Sequence, residues 1–210
     1  MFCCCITKLN ILTFCFIFMI NYKHYKWFYT HSGKLVVGGK SAESNDSLLR
    51  EMQATKKDYI VMHTKTPGSP FCIIFSDIVD VTAKDIEECA VFTGCFSRAW
   101  KEGAKNVDVD IFTLKQLSKS KLMKTGTWQV SGKISKKNVA LELAIVFQDK
   151  IVRAVPVASA DTGEIIVYVK PGDVDKVEAV KATKIAAVKR MSYEQLLAAL
   201  PAGGITFKKP

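Results

Sequence analysis

Short β-prone runs, set off by turn residues and broken by a few helical stretches, constrain this chain more than any other feature of its sequence. Trp27-Phe28-Tyr29-Thr30 and Lys34-Leu35-Val36-Val37 flank Ser32-Gly33 and read as a hairpin over residues 27–38, which Gly38-Gly39 ends. A helix is expected over residues 42–54, capped by Ser41 or Ser44 and striped by Leu48, Leu49 and Met52. Strands at residues 58–63 and 71–75 follow, divided by the turn Pro67-Gly68-Ser69-Pro70. The clearest helix spans residues 82–100. Thr82 caps it, Asp85 stands in the capping-box position, and Ile86, Cys89, Ala90, Thr93, Phe96 and Trp100 share one face. Gly94 inside that helix marks a close backbone approach.

Further strands are expected at 107–112, 127–131, 140–147, 151–157 and 164–170, with 114–124 as a basic loop. Pro171-Gly172 is expected to end the sheet. An amphipathic helix over 173–191 follows, carrying Lys176, Lys181, Lys184, Lys189 and Arg190. A last short helix runs from the Ser192 cap through Leu200, and Pro201-Ala202-Gly203-Gly204 stops it. Strands in runs with interspersed helices give an α+β class with a mainly antiparallel sheet.

At 210 residues, 49% hydrophobic and 24% charged, the chain has globular rather than disordered composition. Its net charge is +10, and only Lys8 of the charged residues lies in the first eighteen. That surplus favours a polyanionic partner, either nucleic acid or an anionic membrane surface. The seven cysteines include no C-x-x-C pair and no zinc-finger spacing, and Cys72, Cys89 and Cys95 lie in apolar stretches. Buried reduced thiols in a cytosolic protein are the natural reading. The run from Ile11 to Ile20 is too short for a membrane span and has no cleavage site after it; Met19 is an alternative start. The expected organisation is an apolar segment over 1–20, a core over 21–135, and a strand–helix extension over 136–210 packed on that core.

Catalytic constellations are scarce. Ser69, His63 and Asp58 make a triad only on paper, without a nucleophile elbow, and Gly38-Gly39-Lys40-Ser41 lacks the spacing of a phosphate loop. No cofactor and no metal site is implied. The basic features say more. Lys34, Lys40, Lys65, Arg98, Lys101, Lys105, Lys115, Lys119, Lys121 and Lys124 fall near loops or helix ends, where cations can follow a phosphate backbone. Trp27, Tyr29 and Tyr59 are candidate base-stackers, or strand filler.

Five ordered motifs carry a resemblance. They are Lys34-Leu35-Val36-Val37-Gly38-Gly39-Lys40 with Asn45-Asp46; Asp58 through His63-Thr64-Lys65 and Pro67-Gly68-Ser69; and Phe96-Ser97-Arg98-Ala99-Trp100-Lys101. The fourth is Val107-Asp108-Val109 with Gln116-Leu117-Ser118-Lys119, and the fifth Gly126-Thr127-Trp128 to Gly132-Lys133. From about Lys26 onward the chain resembles the NFACT RNA-binding domain, in a stand-alone, archaeal-like form without the large N-terminal fold and coiled coil of full-length members. The resemblance implies a non-enzymatic, cytoplasmic RNA-binding module that engages tRNA or the large ribosomal subunit in ribosome-associated quality control. The implied RNA-facing residues are Lys40, Asn45, His63, Lys65, Ser69, Ser97, Arg98, Lys101 and Lys119. Lys40 replaces the family's usual Arg, keeping the charge but not the bidentate geometry. Two other classes compete: an RNA-modifying or hydrolytic enzyme, and a basic adaptor tethered to a membrane through residues 1–20. Asn45 and His63 are read as either RNA contacts or scaffold.

Overall fold

The computed structural model describes residues 20–183, 188 and 191–210. The apolar segment over residues 1–20 lies outside them except for Ile20, which is buried against the first core. Among the described residues, three antiparallel sheets and five α-helices make up the fold.

The chain enters through β1 (Lys26–Tyr29) and β2 (Leu35–Gly38), the expected hairpin, with Trp27 opposite Val37 and Phe28 opposite Val36. Helix α1 (Ala42–Ala54) starts at Ser41, whose Oγ accepts from the Ser44 amide while Ser44 Oγ accepts from the Ser41 amide. Strands β3 (Ile60–Thr64) and β4 (Cys72–Phe75) follow, then α2 (Ala83–Cys95), the single-turn α3 (Arg98–Lys101) and β5 (Asn106–Thr113). With β8 (Ser135–Ala140) these strands form a six-stranded sheet in the order β1-β2-β4-β3-β5-β8.

Both faces of this sheet are covered, which is why β2 and β4 are apolar at every position rather than alternating. Trp27, Leu35, Val37, Val61, Ile73 and Phe112 pack with Leu48, Leu49 and Met52 of α1. Phe28, Val36, Met62, Cys72, Ile74 and Val109 pack on the other face with Cys89, Ala90 and Phe92 of α2. Cys72, Cys89 and Cys95 are buried free thiols, as their apolar setting implies. Burial pushes the Cys72 thiol up to about 12.

The second sheet runs β10-β9-β11-β12: β9 (Leu143–Gln148), β10 (Ile151–Pro156), β11 (Val167–Asp175) and β12 (Gly204–Lys208). One of its faces shares the α2 core through Ala144, Val146 and Val155. The other packs on Trp100, Leu196 and Leu200, with α4 (Lys176–Ala182) and α5 (Tyr193–Ala199) alongside. Helix α2 is thus held between two sheets. A Cβ on Gly94 would stand 2.7 Å from Val107 Cγ1, the close approach expected there. Side chains also join the two sheets edge to edge. Gln148 Oε1 accepts from the Tyr29 amide at 2.8 Å, and Arg153 donates twice to Trp27 O, at 3.0 and 2.8 Å.

Four expectations are corrected. The helix over 82–100 ends at Cys95, because Ser97 turns extended, donates to Gly94 O and accepts from the Ala99 amide, capping a second helix. The basic loop over 114–124 contains β6 (Leu117–Ser118), which pairs with β7 (Gln129–Val130). The strand over 140–147 begins later, at Leu143, and β8 precedes it. Of β8 only Val139 is buried, so this lysine-bearing edge strand shows no apolar alternation. Finally, Pro171-Gly172 does not end the sheet. β11 continues to Asp175 through an irregularity between Pro171 and Val174, because β12 pairs with it from the far end of the chain. Residues 173–175 therefore belong to a strand and α4 begins at Lys176. Lys184, Lys189 and Arg190 lie outside the described residues.

Candidate nucleic-acid interface

A groove of about 510 Å³ opens where three segments meet: residues 39–45 leading into α1, the β3–β4 loop over 64–70, and residues 125–130 leading into β7. The first two are brought together by Asn45. Its Oδ1 accepts from the Phe71 amide at 3.0 Å, and its Nδ2 donates to Ser69 O at 3.5 Å. Close packing here requires Gly39, since a Cβ at that position would stand 2.1 Å from Asn45 Oδ1. Within the loop, Ser69 Oγ accepts from the Thr64 amide and Thr64 Oγ1 donates to Thr66 O. Gly68 has φ +113, in the left-handed half of backbone space that a side chain rarely adopts, and lies against Arg98, whose amide donates to Gly68 O at 2.9 Å. The break between α2 and α3 thus supports the loop from behind.

His63 is held in the wall. Its Nδ1 pairs with Thr64 O at 2.7 Å and its ring lies 4.3 Å from that of Phe71 at a tilt of 31°. Burial lowers its pKa, against an opposing pull from the Thr64 carbonyl and Asp110, so the ring is neutral around pH 7. The third segment is tied down by Asp46. Its Oδ1 accepts from Lys119 Nζ (3.0 Å), the Gly126 amide (3.1 Å) and Trp128 Nε1 (2.8 Å), and Oδ2 pairs with Lys119 at 2.8 Å. Burial raises the Asp46 pKa, but the bonds from Lys119, Trp128 and Gly126 outweigh it and leave the carboxyl below its usual range.

Of the nine residues expected to face RNA, Lys40, Asn45, His63, Lys65 and Ser69 line this groove. Lys40 and Lys65 are exposed, whereas Asn45 and Ser69 are buried and bonded to backbone. Arg98 is exposed and flanks the groove behind Gly68. Ser97 is buried as a cap, and Lys101 is exposed against Gly203 of the C-terminal segment. Lys119 lies behind the wall with its side chain 7% exposed; its ammonium donates to Asp46, Lys124 O and Thr127 O. Lys26, Phe71, Phe96, Asp110 and Trp128 also line the groove, although none is among the nine residues expected to face RNA. The Gly126-Thr127-Trp128 motif was the available signal for Trp128; nothing local marked Lys26 or Asp110. Trp27 and Tyr59 are buried, and Tyr29 bonds Tyr22, so none of these candidate stackers reaches the groove.

Lys26 is half-buried, with Nζ 4.3 Å from the Phe96 ring centre. Burial, then the nearby charges of Arg153 and Lys40, lower its pKa to about 8. Lys40 is lowered as well, by burial and Arg153. Three lysines and, of the described residues, one acid (Asp110) line the groove, so its field is positive. The paper triad does not assemble. Asp58 Oδ1 accepts from the Tyr59 and Lys115 amides and Ser69 Oγ accepts from the Thr64 amide, so neither side chain is engaged as a triad partner of His63, whose Nδ1 pairs with Thr64 O. Among the described residues no group of three His, Cys, Asp or Glu is placed to hold a metal, and no helix is long and apolar enough to cross a membrane.

The family model for the NFACT protein RNA binding domain matches residues 24–132, the stretch that contains every lining residue of the groove. The chain belongs to this family. As an NFACT RNA-binding domain it is 31% identical over 199 residues to the archaeal Rqc2 homolog aRqcH of Methanocaldococcus jannaschii, an alignment covering 90% of this chain. The chain spans 29% of the length of that relative. Among solved structures it is similar to the C-terminal part of the fibronectin/fibrinogen-binding protein from Streptococcus suis. That match has 20% identity and a TM-score of 0.49, over 64% of this chain and 59% of the other.

Proposed function

We propose that this NFACT domain binds RNA through the groove between residues 39–45, 64–70 and 125–130, without catalysing a reaction. One observation carries the reading: within the family-matched segment, Lys26, Lys40 and Lys65 converge on one concave surface whose walls are held by buried hydrogen bonds. A rigid concave surface with hydrated cations at its edge suits a phosphate backbone, because the cations release counterions on contact and the shape fixes the strand. Arg98 extends this surface behind Gly68. Asn45, Ser69 and Lys119 act on the RNA indirectly, by holding the walls. The residues over 21–135 carry the interface, and those over 136–210 pack on it as support. The similarity to an archaeal Rqc2 homolog favours tRNA, or the large ribosomal subunit, as the RNA, and ribosome-associated quality control in the cytoplasm as the setting.

The test is a salt titration of the chain binding to tRNA, with an unstructured RNA of equal length as competitor. Log affinity is expected to fall linearly with log salt. The paired substitution Lys40→Glu with Lys65→Glu is expected to weaken tRNA binding at least tenfold without changing the melting temperature. Unchanged affinity in that variant would refute the groove as the interface.

A further inference from the structure

We propose that the groove takes up one unpaired nucleotide of the bound RNA, with its base against Trp128 and its phosphate among Lys26, Lys40 and Lys65. This rests on the RNA-binding reading and narrows it to the unit bound. Its volume of about 510 Å³ lies within the range of small-molecule sites and is far too small for a duplex. Trp128 and the half-buried His63, whose ring lies at a 31° tilt on the buried Phe71, give the lining aromatic surface for a base. Trp128 is half-buried, and its indole N–H is fixed by Asp46, so the ring is oriented before any ligand arrives. A preset aromatic face of this kind is the platform on which single-strand readers stack bases.

Charge sets where the phosphate lies. Lys26, Lys40 and Lys65 favour it beside them, whereas Asp110, the one acid among the described lining residues, disfavours it.

The full chain, labelled with ¹⁵N, reports this directly, because each tryptophan gives one indole N–H resonance. Trp27 and Trp100 are 1% exposed and lie in the cores, outside the groove lining. Loss of one peak in Trp128→Phe assigns the third. Millimolar GMP is expected to shift the Trp128 resonance and leave the Trp27 and Trp100 resonances in place. UMP should shift it too, and inorganic phosphate should leave it unmoved. In a second assay Trp128→Leu, checked for an intact spectrum, should weaken tRNA binding by about 5- to 150-fold, the range set by losing one stacked base. Equal shifts from inorganic phosphate would overturn the proposal in favour of a simple anion site. No shift with any mononucleotide, while tRNA still binds, would overturn it and leave the RNA reading standing. Loss of tRNA binding by the unmodified chain would remove the RNA reading itself.

Discussion

Asp46 is the residue on which the third wall of the groove depends, and its removal has a calculable cost. Its carboxylate is 13% exposed and Lys119 is 7% exposed, so the pair is shielded from water and salt. Asp46→Ala strands three donors at once: the Lys119 ammonium, the Gly126 amide and the Trp128 indole N–H. Breaking a buried pair from one side costs about 3–5 kcal/mol. Lys119 keeps Lys124 O and Thr127 O as acceptors, which points to the lower end, about 3 kcal/mol. For a chain of this size that is a fall in Tm of roughly 6–12 °C. The assay is a set of thermal and urea melts on Asp46→Ala, Lys119→Met and the double variant. Because each single change leaves the partner uncompensated, the double variant should be more stable than the sum of the two predicts, with a coupling of at least about 1.5 kcal/mol. Additive losses, or an Asp46→Ala shift of under about 2 °C, would refute the argument that this pair holds the Trp128 wall.

Asn45→Ala should cost about 1–3 kcal/mol, measured by urea melts, because it leaves the buried Phe71 amide without an acceptor. Gly94→Ala should destabilise by about 1–3 kcal/mol through overpacking against Val107, and the larger Gly94→Val by more. Asp85 is buried. Burial raises its pKa, but bonds from Ser32, Thr30 and Thr82 outweigh that and set it well below the usual range. A carboxyl with a depressed folded pKa contributes stability above its unfolded value of about 3.9, and that contribution fades as pH falls toward the folded one. The stability advantage of the natural chain over Asp85→Asn, read from melts, should hold at pH 7 and shrink steadily below about pH 4. Lys26 gives the opposite sign in binding. A phosphate contact raises its pKa from about 8, so tRNA affinity should fall between about pH 7 and pH 9, and Lys26→Met should flatten that dependence in a binding titration.

Local chemistry made much of this molecule legible from its sequence alone. The Ser41 and Thr82 caps were readable because a cap bonds residues three positions away. The β1–β2 hairpin was readable because apolar runs and a Gly-containing turn lie within a dozen residues of each other. The loop over 64–70 and the family motifs around it placed five of the nine expected site residues on one surface. What only the tertiary structure decided depends on partners far along the chain. β12 pairs with β11 because the C-terminal segment folds back across it, and β8 is a strand because β5 offers it an edge. Asp46 meets Trp128 from 82 positions away, and Arg153 meets Trp27 from 126. Those contacts settled that Lys119 holds a wall, that Trp27 is core, and that Lys26 and Trp128 face the groove. A residue's type and its near neighbours fix its local conformation; which side of a wall it occupies is set by long-range packing, where the apolar faces of both sheets must be buried at once.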